Sequence, residues 1–340
     1  MNTIKVGIIG IGRIGQIHLH NLVTKFPMVE VTAIADIAPS SQSHAEQYNL
    51  PHFYTDFREL IHDEKVEAVV ICSPTDRHAE HITEAVKAGK DIFCEKPLDL
   101  TLEKARELMD AVDQSGVKFM LGFNRRFDPN FIKIKSLVKA GKVGDVQIIR
   151  ITSRDPAPPP VSYIKSSGGM FLDMTIHDFD MARHMAASEV KEVFAVGRNM
   201  VNPEIGQAGD IDTALITLTF ENGALATIDN SRQAVYGYDQ RVEVFGSGGM
   251  AGTTNNTPDN HYFYDKDGQH GALPLNFFMD RYTDSYLNEM KEFIDCILQD
   301  LKPGVGAKDG LMSLAIGKAA NLSMKENRPV SIKEIISTSE

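Results

Sequence analysis

Cysteine is scarce in this chain: Cys72, Cys94 and Cys296 are an odd set with no CxxC pair among them. Such a set excludes a disulfide-stapled scaffold and a cysteine-based zinc site. Two of the three sit inside apolar, strand-like runs, and all three read as reduced thiols. Positive charge is also short, with 35 Lys and Arg against 46 Asp and Glu and a formal net charge of −11. A nucleic-acid partner normally leaves a basic footprint, so none is expected. Missing as well is a charged leader followed by a long apolar segment, because Met1-Asn2-Thr3-Ile4-Lys5 runs directly into a strand-like stretch. The expectation is a cytoplasmic protein with no membrane partner. No metal is expected either, since His18 and His20 stand two apart on a predicted helix and point to different faces.

The chain is rich in apolar residues, which make up 42% of its 340 positions, enough for a large core and for two domains. The most informative stretch is Gly10-Ile11-Gly12-Arg13-Ile14-Gly15, placed directly after the apolar run Ile4–Ile9. A GxGxxG turn between a buried strand and a helix is the signature of a dinucleotide site. Gly10 permits the tight turn, Gly12 lets the main chain approach a pyrophosphate, and Gly15 lets helix and strand pack closely. The helix N-terminus then offers unpaired N–H groups and a partial positive charge to the phosphates. A second apolar strand, Val29–Ala35, ends in Asp36, which suits the two ribose hydroxyls of an adenosine and repels a 2′-phosphate. With Ile37 after it, where NADP enzymes often carry Arg or Ser, the expected cofactor is NAD.

Up to about residue 121, β-branched strand-like runs alternate with helical segments, the pattern of a parallel sheet covered on both faces. Ser115-Gly116 is a stop signal for the helix predicted over 102–114. Beyond about residue 145 the chain turns to alternating strands with hairpin chemistry at Glu221-Asn222-Gly223. The expected architecture is α/β: an N-terminal Rossmann dinucleotide-binding domain over 1–121, then an α+β domain over 122–340 with a large, mainly antiparallel open sheet. Helices are expected over 168–185, 282–299 and 308–325, the last packing back near the first domain. They would cover one face of the second sheet and leave the other for a second subunit. Asp155-Pro156-Ala157-Pro158-Pro159-Pro160 reads as an ordered loop.

Ligands of open α/β sheets bind at the carboxyl ends of the strands. The sequence places Ser73-Pro74-Thr75 with His78 there, and Cys94-Glu95-Lys96-Pro97. Lys96, between a strand end and a proline, is the sharper candidate, although most lysines are simply solvent-exposed. Asp173 and His177 stand four apart and share a face on a continuous helix. A carboxylate beside an imidazole can orient a general base for an alcohol, although spacing alone favours a structural brace. Of Arg125 and Arg126, one can reach a cleft while the other braces a domain junction, and a pair of structural salt bridges fits both. Tyr238 offers a hydroxyl at a strand start, or an aromatic core residue.

These segments together resemble the glucose-fructose oxidoreductase/inositol dehydrogenase (Gfo/Idh/MocA) family over nearly the whole chain, and within it the inositol 2-dehydrogenases. The resemblance rests on Gly10 to Gly15, Glu95-Lys96-Pro97, Gly122 to Asp128, Ser167 through Asp173 and His177 to Arg183, Tyr236 to Asp239, and Ala307-Lys308-Asp309-Gly310. It implies oxidation of an inositol ring hydroxyl with hydride transfer to NAD, and Lys96, Asp173 and His177 as the catalytic group. It implies cofactor contacts from Gly10, Gly12, Arg13, Ile14, Gly15, Asp36, Ser73, Pro74, Thr75, His78, Glu95 and Lys96. It places Lys96, Arg125, Asp155, Asp173, His177 and Tyr238 toward a polyol substrate, with Asp155 standing where some relatives carry asparagine. A homo-oligomer built as a dimer of dimers is implied too. The alternatives are another inositol or sugar as substrate, glucose among them, and a non-catalytic NAD-sensing regulator on the same fold.

Overall fold

In the computed structural model, which describes residues 3–337 apart from the side chains of 165 and 166, the chain divides into two compact units. Met1 and Asn2, part of the start read above as leaderless, lie outside the described residues. One unit comprises Met1–Phe127 with Asp284–Leu314, the other Asp128–Thr283 with Ala315–Glu340.

In the first unit the apolar runs become strands β1 (Ile4–Ile9), β2 (Val29–Ala35), β3 (His52–Tyr54), β4 (Ala68–Ile71), β5 (Asp91–Glu95) and β6 (Phe119–Gly122). They form a six-stranded sheet in the order β3-β2-β1-β4-β5-β6. Every pairing is parallel. Strands buried on both faces must be apolar throughout, and all four residues of β4 are buried. The helices supply the cover by helical spacing: Leu102–Ser115 buries Leu102, Ala105, Leu108 and Val112. It stops at Gly116, whose φ of +75° makes the left-handed cap that the sequence anticipates.

The domain boundary expected at 121/122 moves, because Asn124–Phe127 stays with the first unit and 284–314 joins it. The reason is apolar contact at long sequence separation. Phe293, on the helix Thr283–Leu298, packs its ring 5.9 Å from Phe93 of β5, and Tyr286 meets the edge of His18. Arg126 Nη2 donates to Asp309 Oδ1 at 2.8 Å, so one arginine of the pair and the late Ala307-Lys308-Asp309-Gly310 segment brace this unit. The helix Ala307–Glu326 begins in the first unit and continues in the second.

The second unit contains β7 (Val146–Arg154), β8 (Val190–Arg198), β9 (Thr213–Phe220), β10 (Leu225–Ser231), β11 (Asp239–Gly246) and β12 (Gly249–Gly252), the hairpin β13 (Tyr262–Asp265) and β14 (Gly268–Gly271), and β15 (Val330–Ser331). The large sheet runs β12-β11-β7-β10-β9-β8-β15 and is antiparallel except for the central β7–β10 pair. Its alternation is regular: Ala214, Ile216, Leu218 and Phe220 are buried while Leu215 is 60% exposed.

The helix expected over 168–185 is instead two pieces, Met170–Asp173 and Ile176–Ala186, and a further short helix, Val161–Ser167, precedes them. Gly168 and Gly169 both take positive φ, and the Thr175 amide reaches back to the Met170 carbonyl in a wide turn. Asp173 and His177 are therefore on separate helices.

Asp128 caps the helix Pro129–Lys139 through the amides of Asn130 and Phe131, and its other oxygen pairs with Arg281. Both side chains are almost fully buried. Removing one partner strands the other charge away from water. We expect Arg281→Met to lower unfolding free energy in urea by about 3–5 kcal/mol; a loss below about 1 kcal/mol would show that the pair is dispensable.

Candidate functional site

Each unit brings chemistry-bearing residues to one edge of its sheet. In the first, the parallel order puts the carboxyl ends of β1, β2, β4, β5 and β6 on the same side, with the order reversing between β1 and β4. Gly10 follows β1 with φ +90°, and a Cβ on it would lie 2.7 Å from the Ser73 amide nitrogen. A Cβ on Gly15 would lie 2.0 Å from the Gly10 carbonyl oxygen, which no side chain tolerates. Beside Gly12 the same construction meets nothing within 4 Å. Gly12 is also the N-cap of the helix Arg13–Lys25 and supplies no side-chain cap to the first-turn amides. These residues fit a dinucleotide pyrophosphate.

Asp36, next after β2, accepts the Ile11 amide on Oδ2 at 2.7 Å and the Ala38 amide on Oδ1 at 2.8 Å. The first bond ties the carboxylate to the glycine turn, and each oxygen keeps a further lone pair for a ribose hydroxyl. Arg13 is exposed and Ile14 half-buried at the start of the helix. After β4, Ser73 and Thr75 are half-buried and Pro74 exposed. Ser73 Oγ lies 2.9 Å from Nδ1 of His81, which burial, helped by the neighbouring His78, pulls down to about 4, so that it is neutral at physiological pH.

His78 is placed differently from an open cofactor contact. It is buried, with Nδ1 2.8 Å from the Pro97 carbonyl and Nε2 2.9 Å from the Ser73 carbonyl. Burial shifts its protonation equilibrium downward against the opposing pull of the two carbonyls, and the ring lies between the two turns that follow β4 and β5, its neutral form donating to one carbonyl at a time. Lys96, half-buried, sits in the second of these turns. Glu95 before it lies 2.8 Å from His18 Nε2. Under this pair is Glu289, fully buried, whose carboxyl is pushed well above its ordinary range by burial and then by the Glu95 carboxylate. Arg125, in the short helix Asn124–Phe127 after β6, is 5% exposed.

In the second unit, register does the gathering. β7 and β10 run parallel with Arg154 opposite Ser231, so Asp155 and Arg232 leave the sheet side by side. Antiparallel β11 begins with Asp239 opposite Arg154, which brings Tyr238 to the same edge, and β9 begins with Thr213 opposite Ser231. Arg232, 3% exposed, reaches Asp155 Oδ2 with Nη1 at 3.4 Å and Asp173 Oδ2 with Nη2 at 3.2 Å. Tyr163 donates its hydroxyl to Asp173 Oδ1 at 2.9 Å. The structure thus joins two of the expected site residues, Asp155 and Asp173, through an arginine.

Behind the break before His177, Thr175 Oγ1 donates to Asn230 Oδ1 at 2.7 Å, and Asn230 Nδ2 donates to Asp178 Oδ2 at 2.9 Å. All three are buried, so this chain of bonds pins the start of the helix Ile176–Ala186 to β10. Tyr238 is buried and meets Tyr282 edge to face at 6.0 Å. Sequence reasoning passed over Arg232, Tyr163 and Asn230. No local signal like that of Asp36 marks Arg232, because β10 already carries the polar run Asp229-Asn230-Ser231 before it.

Among the described residues no helix is long and apolar enough to cross a membrane. Residues 4–123 match the model of the Gfo/Idh/MocA oxidoreductase family, NAD-binding Rossmann fold, and residues 131–252 match that of the Gfo/Idh/MocA C-terminal domain. The chain is 47% identical to a myo-inositol 2-dehydrogenase of Thermotoga maritima, with 98% of this chain and 99% of that one covered. It is 42% identical to an inositol 2-dehydrogenase of Rhizobium meliloti, covering 97% and 99% respectively. A crystal structure of scyllo-inositol dehydrogenase from Lactobacillus casei with bound NAD(H) and scyllo-inositol superposes with a TM-score of 0.92, at 32% identity and with 97% and 99% of the two chains covered.

The cofactor site generates a test. Asp36→Ser should narrow the preference for NAD over NADP in kcat/KM, and Gly15→Ala should abolish NADH binding measured by fluorescence titration. An enzyme that works better with NADP before any substitution would contradict the role given to Asp36. Glycine turn and Asp36 included, this is an NAD-binding chain of the Gfo/Idh/MocA oxidoreductase family.

Proposed function

We propose that this protein is an NAD-dependent inositol 2-dehydrogenase that oxidises myo-inositol to the 2-keto inosose. The observation that carries the reading is the coincidence of two things: similarity to inositol dehydrogenases along the whole chain, and the presence of Lys96 in the turn after β5 and of Asp173 and His177 on the two helices either side of the turn at Thr175. NAD, when bound, supplies the hydride acceptor. His177 is assigned as the general base that takes the hydroxyl proton, a role for which imidazole suits neutral pH. Lys96 is assigned as the cation that steadies developing negative charge on the oxygen. Asp173 orients His177 or a ring hydroxyl. Arg125, Asp155 and Tyr238 are assigned to the remaining hydroxyls, and Ser73, Thr75 and Glu95 to the cofactor side. His78, given its two carbonyl partners, acts on the cofactor by holding the turns around it.

Scyllo-inositol is the second reading, favoured by the likeness to the scyllo-inositol dehydrogenase. We further propose a cytoplasmic enzyme assembled as a dimer of dimers through the open face of the second sheet. That face leaves Leu215, Leu225 and Phe245 exposed by 60%, 49% and 43%. A stable monomer in sedimentation at micromolar concentration would contradict this assembly.

Initial rates of NADH formation with myo-inositol, scyllo-inositol, D-chiro-inositol and glucose decide the substrate. Myo-inositol should show the highest kcat/KM; a roughly tenfold advantage for glucose, about 1.4 kcal/mol in transition-state binding, would move the enzyme out of the inositol branch. His177→Ala should lower kcat about 10²- to 10⁴-fold while NAD affinity holds. Near-normal kcat in that variant would reassign His177 to structure.

A further inference from the structure

Arg232 is a buried charge that the catalytic assignments leave unused. It follows β10 directly, and its amide donates to the Asp212 carbonyl at 2.8 Å. Its guanidinium is 3% exposed and contacts carboxylates from two different segments, Asp155 after β7 and Asp173 at the end of the helix Met170–Asp173. Asp210 adds a third negative charge acting on it. A cation so far from water is tolerated only with such partners, and the carboxylates in turn lose the charge of Arg232 when it is removed.

The two terminal nitrogens do different work. One reaches Asp155, the other Asp173, and the remaining Asp173 oxygen takes the Tyr163 hydroxyl. Asp173 is thereby gripped on both oxygens by donors from separate elements, which fixes the plane of its carboxylate. It needs that grip, because it sits in a four-residue helix between Gly169 and the wide turn at Thr175, where the local chain does little to hold a side chain. A planar guanidinium can bridge two carboxylates at a set separation; an ammonium offers one nitrogen for both.

We propose that Arg232 is a positioning residue of the reaction, a clamp that sets the orientation of Asp173 and Asp155 relative to one another. The inference rests on the reading of Asp173 as a member of the catalytic group. It acts through those carboxylates and touches no reacting atom.

The test is a mutant cycle on kcat/KM for myo-inositol, with NADH affinity measured beside it. Arg232→Gln in the otherwise unaltered enzyme should lower kcat/KM roughly 10- to 100-fold, the scale set by misplacing a catalytic group by about 1 Å. Arg232→Lys should recover part of that loss. In an Asp173→Asn background, where the oriented carboxylate is already gone, Arg232→Gln should cost less than about threefold. NADH affinity should hold throughout. Equal losses in both backgrounds would overturn the clamp and leave Arg232 a general support of the fold. If Arg232→Gln is recovered unfolded, Arg232→Lys in the same two backgrounds decides by the same criterion. An Asp173→Asn variant with undiminished turnover would overturn both the clamp and the reading beneath it. Undiminished turnover in Arg232→Gln beside an impaired Asp173→Asn would overturn the clamp alone.

Discussion

The parallel pairing of β7 with β10 is the constraint on which the second unit's chemistry depends. With Arg154 opposite Ser231, the residues that follow each strand emerge at one edge and in one direction. Asp155 and Arg232 are neighbours for that reason, and Arg232 then collects Asp173. An antiparallel pair in this place would send the two residues to opposite ends of the sheet. A slip by one residue would turn Asn230 away from Thr175 and Asp178, and with it the anchor at the start of the helix that carries His177.

The first unit reaches a comparable result by simpler means. All its strands are parallel, so every strand end contributes a turn to the same side. Two close approaches of main chain fix the turn after β1: Gly10 against Ser73, and Gly15 against Gly10. Asp36 then ties to that turn through the Ile11 amide. The glycines and the acid are one structure joined by hydrogen bonds and contact distances, which is why their joint occurrence in a sequence carries more weight than either alone. Farther along the same edge, His78 lies between the turn that holds Ser73 and the one that holds Lys96.

Much of this was legible in the sequence because the first unit is built from local signals. Strand runs, helix spacing, the Gly116 stop and the glycine turn each follow from a few consecutive residues. What escaped depends on long-range pairing. No local pattern in Thr283–Leu298 says that Phe293 meets Phe93, so the grouping of 284–314 with the first unit was not legible there. The spacing of Asp173 and His177 suggested one helix, and the turn at Thr175 broke it because Thr175 is held to Asn230 of β10 rather than left to its own helix. Arg232 was missed for the same reason: its meaning lies in the register of β7 with β10, which alternating apolar residues do not specify.

The central claim, removal of a hydride from an inositol ring carbon to NAD, is tested most directly with myo-inositol carrying deuterium at C2. Incubation with NAD followed by mass spectrometry of the product nucleotide should find the deuterium in NADH, with an unlabelled inosose beside it. NADH formed without the label would contradict the account.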